Sequence, residues 1–257
     1  MNNKFFLKSV ILVLLIFISF IYGFLVSDKK VFPYHLLKSN ISENSIYTSY
    51  EVSKLDREWA KKLNKGGYII HLRHAQREKW NDVTAFDAWE LANKIKAEDS
   101  SFGRAVCLTD QGDEEARLIG NIFNMASIEI SEIISSPSCR ARETAIIAFG
   151  KIDRISNSLL HRTAMTHGQH ISMTKKLREV MEEITLVQGK NVILSGHGGT
   201  LSNNTNILID ENKIGELDDR DETGFIILKK ENGKIIAEYK FKSIWHFANA
   251  FIEFEVN

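Results

Sequence analysis

Sulfur and proline are both scarce in this chain, which has two cysteines, Cys107 and Cys139, and two prolines in 257 residues. Two cysteines cannot build a disulfide-rich scaffold or a four-cysteine zinc site. They leave room for one bridge, but the expectation is a pair of free, buried thiols. Neither sign of charge is in excess, since 33 basic residues face 33 acidic ones. No overall field draws the protein to nucleic acid, so any attraction for an anion has to be local. Internal repeats and low-complexity tracts are absent, and no G-x-S-x-G turn occurs, which excludes an esterase built on a serine elbow. What remains is 44% hydrophobic and 26% charged, an ordinary globular composition with enough length for one sizeable core.

The longest apolar run is Val10 to Val26, seventeen residues without a charge, preceded by Lys4 and Lys8. It exceeds the core of a usual signal peptide and just reaches the length that spans hydrocarbon. Residues 1–27 therefore read as an uncleaved membrane anchor, with a cleaved signal at Gly23 as the alternative. The lysines ahead of it favour a cytoplasmic N-terminus, which places the rest outside the cytoplasm, in a periplasm-like compartment. Residues 28–54, polar and holding Pro33, read as a tether, and 55–257 as the folded domain.

Within that domain, "KLDREWAKKLNKGG" predicts a short helix stopped by Gly66 and Gly67, and "YIIHL" a buried strand. "FDAWELANKIKAE" and "TDQGDEEARLIGNIFNM" have helical spacing, the second capped by Thr109 or Asp110. "EIISS" is a strand, and "PSCRARETAIIAFG" a helix from Pro137 to Gly150. A further helix lies within "ISMTKKLREVMEEITLVQG", then the strand "NVILS". "GFIILKKENGKIIAEYKF" is a hairpin turning at Glu231 to Lys234, placed at the sheet edge. Strands alternating with helices predict an α/β fold, a three-layer α/β/α sandwich around a mainly parallel sheet.

Such sheets hold ligands beyond the carboxyl ends of their strands. Three strand exits deliver chemistry there: Arg73 and His74 after "YIIHL", Arg140 after "EIISS", and His197 after "NVILS". Arginine presents a planar, permanently charged fork of donors matched to phosphate oxygens, while a neutral imidazole can act as a nucleophile. Together they suit phosphoryl transfer, with Arg73, Arg77 and Arg140 as the clamp.

The motifs "LRHAQRE", "LTDQGDEEARLIG", "SSPSCRARETA" and "LSGHGGT" resemble, in order, those of the histidine phosphatase superfamily, the phosphoglycerate mutase-like fold. The likeness spans roughly 68–199. It implies that His74 becomes a phosphohistidine, that Arg73 and Arg140 hold the phosphate, and that His197 is the second pocket histidine. Arg77 stands where the acid-phosphatase branch has a phosphate-binding arginine, although "HGG" lacks that branch's His-Asp pair. No metal or other cofactor is implied. Arg-His-Ala behind a membrane segment is also similar to the periplasmic phosphatases of lipopolysaccharide heptose phosphates. That implies a phosphorylated small molecule, glycan or glycolipid as substrate, a membrane partner and no nucleic acid.

Two departures bear on chemistry. Ala75 replaces the glycine after the nucleophile, adding a methyl where the backbone nears phosphate. The mutase branch carries a proton-donating glutamate where this chain reads "SLLHRTAMTH". The proton then comes from Glu78, Asp82 or His161, with Glu78 preferred, or from water where the leaving group is already good. His161, Arg162, His167 and His170 line a pocket for a strongly anionic substrate or are solvated loop residues. Ser135 and Ser136 read as strand-end hydrogen-bonding residues, Thr144 and Cys139 as packing residues. A metal site on His71, His74 and His197 is disfavoured, because residues three apart on a strand do not share a face and flanking arginines repel a cation. A mutase and a non-catalytic phosphate-binding module of the same fold are the rival readings.

Overall fold

Four apolar runs too short for helices and too rich in isoleucine, leucine and valine to face water make the centre of the sheet. The computed structural model describes residues 50–78, 87, 90, 94, 96–99, 103–162, 165–201, 205–217 and 220–256. Tyr50–Asn257 is one compact unit. Its elements are α1 (Lys54–Lys62), β1 (Tyr68–Arg73), α2 (Asp110–Met125), β2 (Ile130–Ser135), α3 (Cys139–Phe149), β3 (Arg154–Ile155) and α4 (His167–Glu183). Then come β4 (Asn191–Gly196), the short α5 (Thr205–Leu208), β5 (Glu211–Asn212), β6 (Phe225–Glu231), β7 (Lys234–Phe241) and α6 (Ile244–Val256).

The seven strands lie in the order β3-β2-β4-β1-β6-β7-β5. β4 runs parallel to both β1 and β2, with Arg73 opposite Gly196 and Ser135 opposite Ser195. The alternation of side chains then divides the core in two. Ile70, Leu72, Ile133 and Ile193 pack with Trp59 of α1, Phe123 of α2 and Phe247 of α6. Ile69, Ile134, Val192 and Leu194 pack with Leu177 and Met181 of α4 on the opposite face. Both faces are therefore covered, as a parallel sheet requires, and each large side chain so buried contributes about 1.5–3 kcal/mol.

Local chemistry sets several boundaries. Gly66, at φ 68°, ends the first helical stretch, as the Gly66 and Gly67 pair predicts. Thr109 caps α2 by accepting the Gly112 N–H at 3.0 Å. A Cβ on Gly112 would stand 2.0 Å from the Gln76 carbonyl oxygen, so only glycine lets α2 approach the loop after β1. Asn232 and Gly233, at φ 52° and 74°, turn the β6–β7 hairpin.

Other boundaries differ from the sequence expectation. The stretch 28–54 ends inside the unit, where Tyr50 stacks on His246 at 5.1 Å between ring centroids and Ser53 caps α1. α3 starts at Cys139 with Ser138 as N-cap, later than Pro137, because Ser136 still spends its N–H on the Ser195 carbonyl. α4 begins at His167, ahead of the expected stretch, since Thr166 and Gln169 form a capping box. The hairpin is not wholly at the edge: β6 pairs with β1, and β5 lies outside β7. The helix α6 was not anticipated. Val10–Val26 lies outside the described residues, and among the described residues no helix is long and apolar enough to cross a membrane.

Candidate active site

Because β2, β4 and β1 are adjacent and parallel, the residues that follow them leave the same edge of the sheet. The His74 N–H bonds the Gly196 carbonyl at 3.0 Å and the Ser136 N–H bonds the Ser195 carbonyl at 2.8 Å, which ties the three exits together. His74 and His197 meet edge to face, with ring centroids 5.3 Å apart, and His161 meets His197 at 5.5 Å.

The tautomer of His74 follows from its partner. Nδ1 lies 2.8 Å from the Ala75 carbonyl oxygen, which can only accept, so Nδ1 carries the proton and Nε2 keeps its lone pair. Burial, and then the Arg140 charge, hold the imidazolium pKa well below its ordinary value. His74 is thus a buried, neutral imidazole with an unprotonated Nε2. For His197 the order is reversed: Nδ1 accepts from Arg140 Nη2 at 3.3 Å, so the Nε2 proton points to Ser136 Oγ at 3.1 Å and Ser138 Oγ at 3.2 Å.

Arg140 is buried, 1% exposed, and donates from Nη1 and Nη2 to the two Asp87 oxygens at 2.9 and 2.8 Å. Its carbonyl accepts from Thr144 Oγ1 at 2.8 Å, and Thr144 accepts from the Ala75 N–H at 3.0 Å, which couples α3 to the loop carrying His74. Ala75 causes no backbone strain, since it is not among the residues at positive φ, and its methyl packs with Leu108 and Ala116. Arg73 donates to the Arg220 carbonyl at 2.6 Å. The buried Arg220 side chain in turn holds the His71 and His197 carbonyls, each at 2.8 Å, and His71 Nδ1 at 2.8 Å. Arg77, half-buried, is lowered in pKa by burial and by Arg140 and Arg73, while Glu222 and Asp87 oppose this.

The structure thus brings His74, Arg73, Arg77, Arg140, His197 and His161 together. Glu78 is exposed and its carbonyl accepts from Arg77 Nη1, and Asp82 lies outside the described residues. His167 and His170 stand in the first turn of α4, and Arg162 is buried against the Thr174 hydroxyl and the Ser158 carbonyl. Asp87, Ser138 and Arg220 were missed. The helical reading of 86–98 falls largely outside the described residues, but Asp87 and Glu90 are described, helical and buried.

The cysteines correct the sequence reading most clearly. Cys107 and Cys139 form a disulfide, because α3 begins beside the loop before α2 and brings their Cα atoms to 5.1 Å. Sequence separation alone could not show that approach. Among the described residues, the cluster tight enough for a cation is Cys107, Cys139 and Glu143, and its sulfurs are bonded to each other.

Three buried imidazoles make stability depend on pH. Burial lowers His71, His74 and His197 well below the ordinary histidine value, helped by Arg220 for the first and Arg140 for the others. The unfolded chain, whose histidines titrate near pH 6.5, binds these protons first as pH falls, so this stability is complete above that pH and lost below it. Urea midpoints should fall steeply from pH 6.5 to 5, with a limiting slope of about 4 kcal/mol per pH unit for three such groups. A flat profile would mean that these rings are protonated in the folded state.

No family model and no curated protein matches this sequence. Among solved structures, the chain is similar to the protein histidine phosphatase SixA complexed with tungstate, at 12% identity and a TM-score of 0.44, over 68% of this chain and 96% of that one. It is similar to phosphoserine phosphatase from Entamoeba histolytica in complex with 3-phosphoglyceric acid, at 14% identity and 0.44, over 70% and 98%. It is also similar to a mycobacterial glucosyl-3-phosphoglycerate phosphatase, at 14% identity and 0.45, over 68% and 98%.

Proposed function

We propose that this chain is a histidine phosphatase, a metal-independent phosphomonoesterase that works through a phosphohistidine on His74. The observation that carries this reading is the meeting of a neutral, Nε2-unprotonated His74 with Arg140 and His197 at adjoining strand ends. The Nε2 lone pair attacks phosphorus while the guanidinium donors of Arg73, Arg77 and Arg140 hold the non-bridging oxygens, so the main work is positioning and charge stabilisation. His197, fixed by Ser136 and Ser138, completes the pocket wall beside the nucleophile.

The substrate in this reading is a phosphorylated sugar or glycolipid of the cell envelope, met by a membrane-anchored domain outside the cytoplasm. Two features support that placement: the Val10 to Val26 run, and the Cys107–Cys139 disulfide, which persists in oxidising compartments. Neither feature favours a mutase.

The test is phosphate release by the full-length chain in detergent, with EDTA present, from p-nitrophenyl phosphate and from a panel of sugar and lipid A-type phosphates. Chelator-resistant release is expected, with the panel ranking the substrates. A folded chain that binds vanadate but releases no phosphate would overturn the enzyme and leave a binding module.

A further inference from the structure

Expelling an alkoxide from a sugar phosphate needs a proton, and a positioned acid is worth about 10²–10⁴-fold in rate. Resting on the phosphatase reading above, we infer that Asp87 is this acid and that substrate binding is what arms it.

Asp87 is 4% exposed and occupies both terminal nitrogens of Arg140 at 2.9 and 2.8 Å. The same Nη2 lies 3.3 Å from His197 Nδ1, and the His197 ring touches that of His74. Asp87 lies close enough to Arg77 and His161 to act on their charges. The fork it holds has the geometry that two phosphoryl oxygens would use. Carboxylate and phosphate therefore compete for one guanidinium.

When a dianionic phosphate takes the fork, Asp87 loses its countercharge and gains a like-charged neighbour, and both changes favour its protonated form. A carboxyl that takes a proton from solvent at that moment stands beside the phosphoryl group. Its place is fixed from one turn away, where Glu90 accepts from Arg142 at 2.6 Å and from the Ala97 N–H at 3.1 Å. Glu78, by contrast, is exposed.

The steps balance. The His74 Nε2 lone pair forms the P–N bond, the ester P–O bond breaks with its electron pair going to the leaving oxygen, and that oxygen takes the Asp87 proton to give the alcohol. The Asp87 carboxylate then accepts a proton from water as the water oxygen forms a new P–O bond. The P–N bond breaks and its pair returns to Nε2, and as phosphate leaves, Asp87 gives its proton back to solvent and takes up Arg140 again.

The experiment compares wild type with Asp87→Asn on two substrates. Dinitrophenyl phosphate has a leaving group that needs no proton, and glycerol phosphate has one that does. Because Asp87 also holds Arg140, both substrates lose rate, but phosphorylation by glycerol phosphate should fall about 10²–10⁴-fold further than that by dinitrophenyl phosphate and lose the basic limb of its pH profile. Asp87→Ala, which strands the buried Arg140 and is checked for folding by circular dichroism, gives a second test, in which added formate should restore turnover of glycerol phosphate more than that of dinitrophenyl phosphate. An equal loss on both substrates, appearing as a raised KM, would make Asp87 a positioning residue for Arg140 and overturn the inference, as would absence of rescue by formate. A wild type that releases no dinitrophenolate at all would instead remove the phosphatase reading itself.

Discussion

Replacement of His74 by alanine lowers aryl phosphate turnover by at least about 10⁴-fold, since it removes the nucleophile and with it the covalent route. The fold survives, because the ring's polar contact is with the adjacent Ala75 carbonyl, and the cost of burying an imidazole is removed with it. Vanadate or phosphate binding persists, since Arg73, Arg77 and Arg140 are untouched. Measured together, kcat and vanadate affinity separate this outcome from unfolding. Arg140 offers no such clean test: removing it strands the buried Asp87 carboxylate, a change that costs about 3–5 kcal/mol. Residual turnover above about one hundredth of wild type in His74→Ala would place the nucleophile elsewhere.

Loss of the disulfide is the second large effect. The bridge closes a 32-residue separation, for which loop-closure entropy gives about 3–4 kcal/mol. In a domain of this size that corresponds to a fall in Tm of roughly 10 °C. The effect reaches the site as well. Cys107 precedes Leu108, whose backbone pairs with Arg77 and donates to Glu143 at 2.9 Å, and Cys139 precedes Arg140. Cys107→Ala combined with Cys139→Ala should therefore lower Tm and raise KM for a phosphate ester, read by thermal unfolding and steady-state kinetics. An unchanged Tm would show that the native contacts already fix this loop without the bond.

The strand exits were readable in the sequence because a short apolar run followed at once by Arg73 and His74, or by His197, is a local pattern. Arg140 was readable for a similar reason, three residues past Pro137 at a helix start. What was missed depends on contacts distant in sequence. Asp87 sits in a stretch whose helical period accounts for an acid as part of a wet face, and only Arg140, 53 residues away, shows that it is buried. Arg220 acts on carbonyls of two other strand exits, which leave no trace in side-chain spacing. The disulfide likewise needed α3 and the loop before α2 to be placed together. Glu78 was preferred as donor for its nearness in sequence to His74; the fold leaves Glu78 exposed, whereas Asp87 is buried on Arg140.

The most direct measurement is the position of the phosphoryl group in the trapped enzyme. The full-length chain, quenched in alkali during turnover of dinitrophenyl phosphate and digested, should carry an alkali-stable, acid-labile phosphoryl adduct on the peptide containing His74, with fragmentation placing it on that imidazole. Turnover without an adduct, or an adduct on a serine or on His197, would contradict the account.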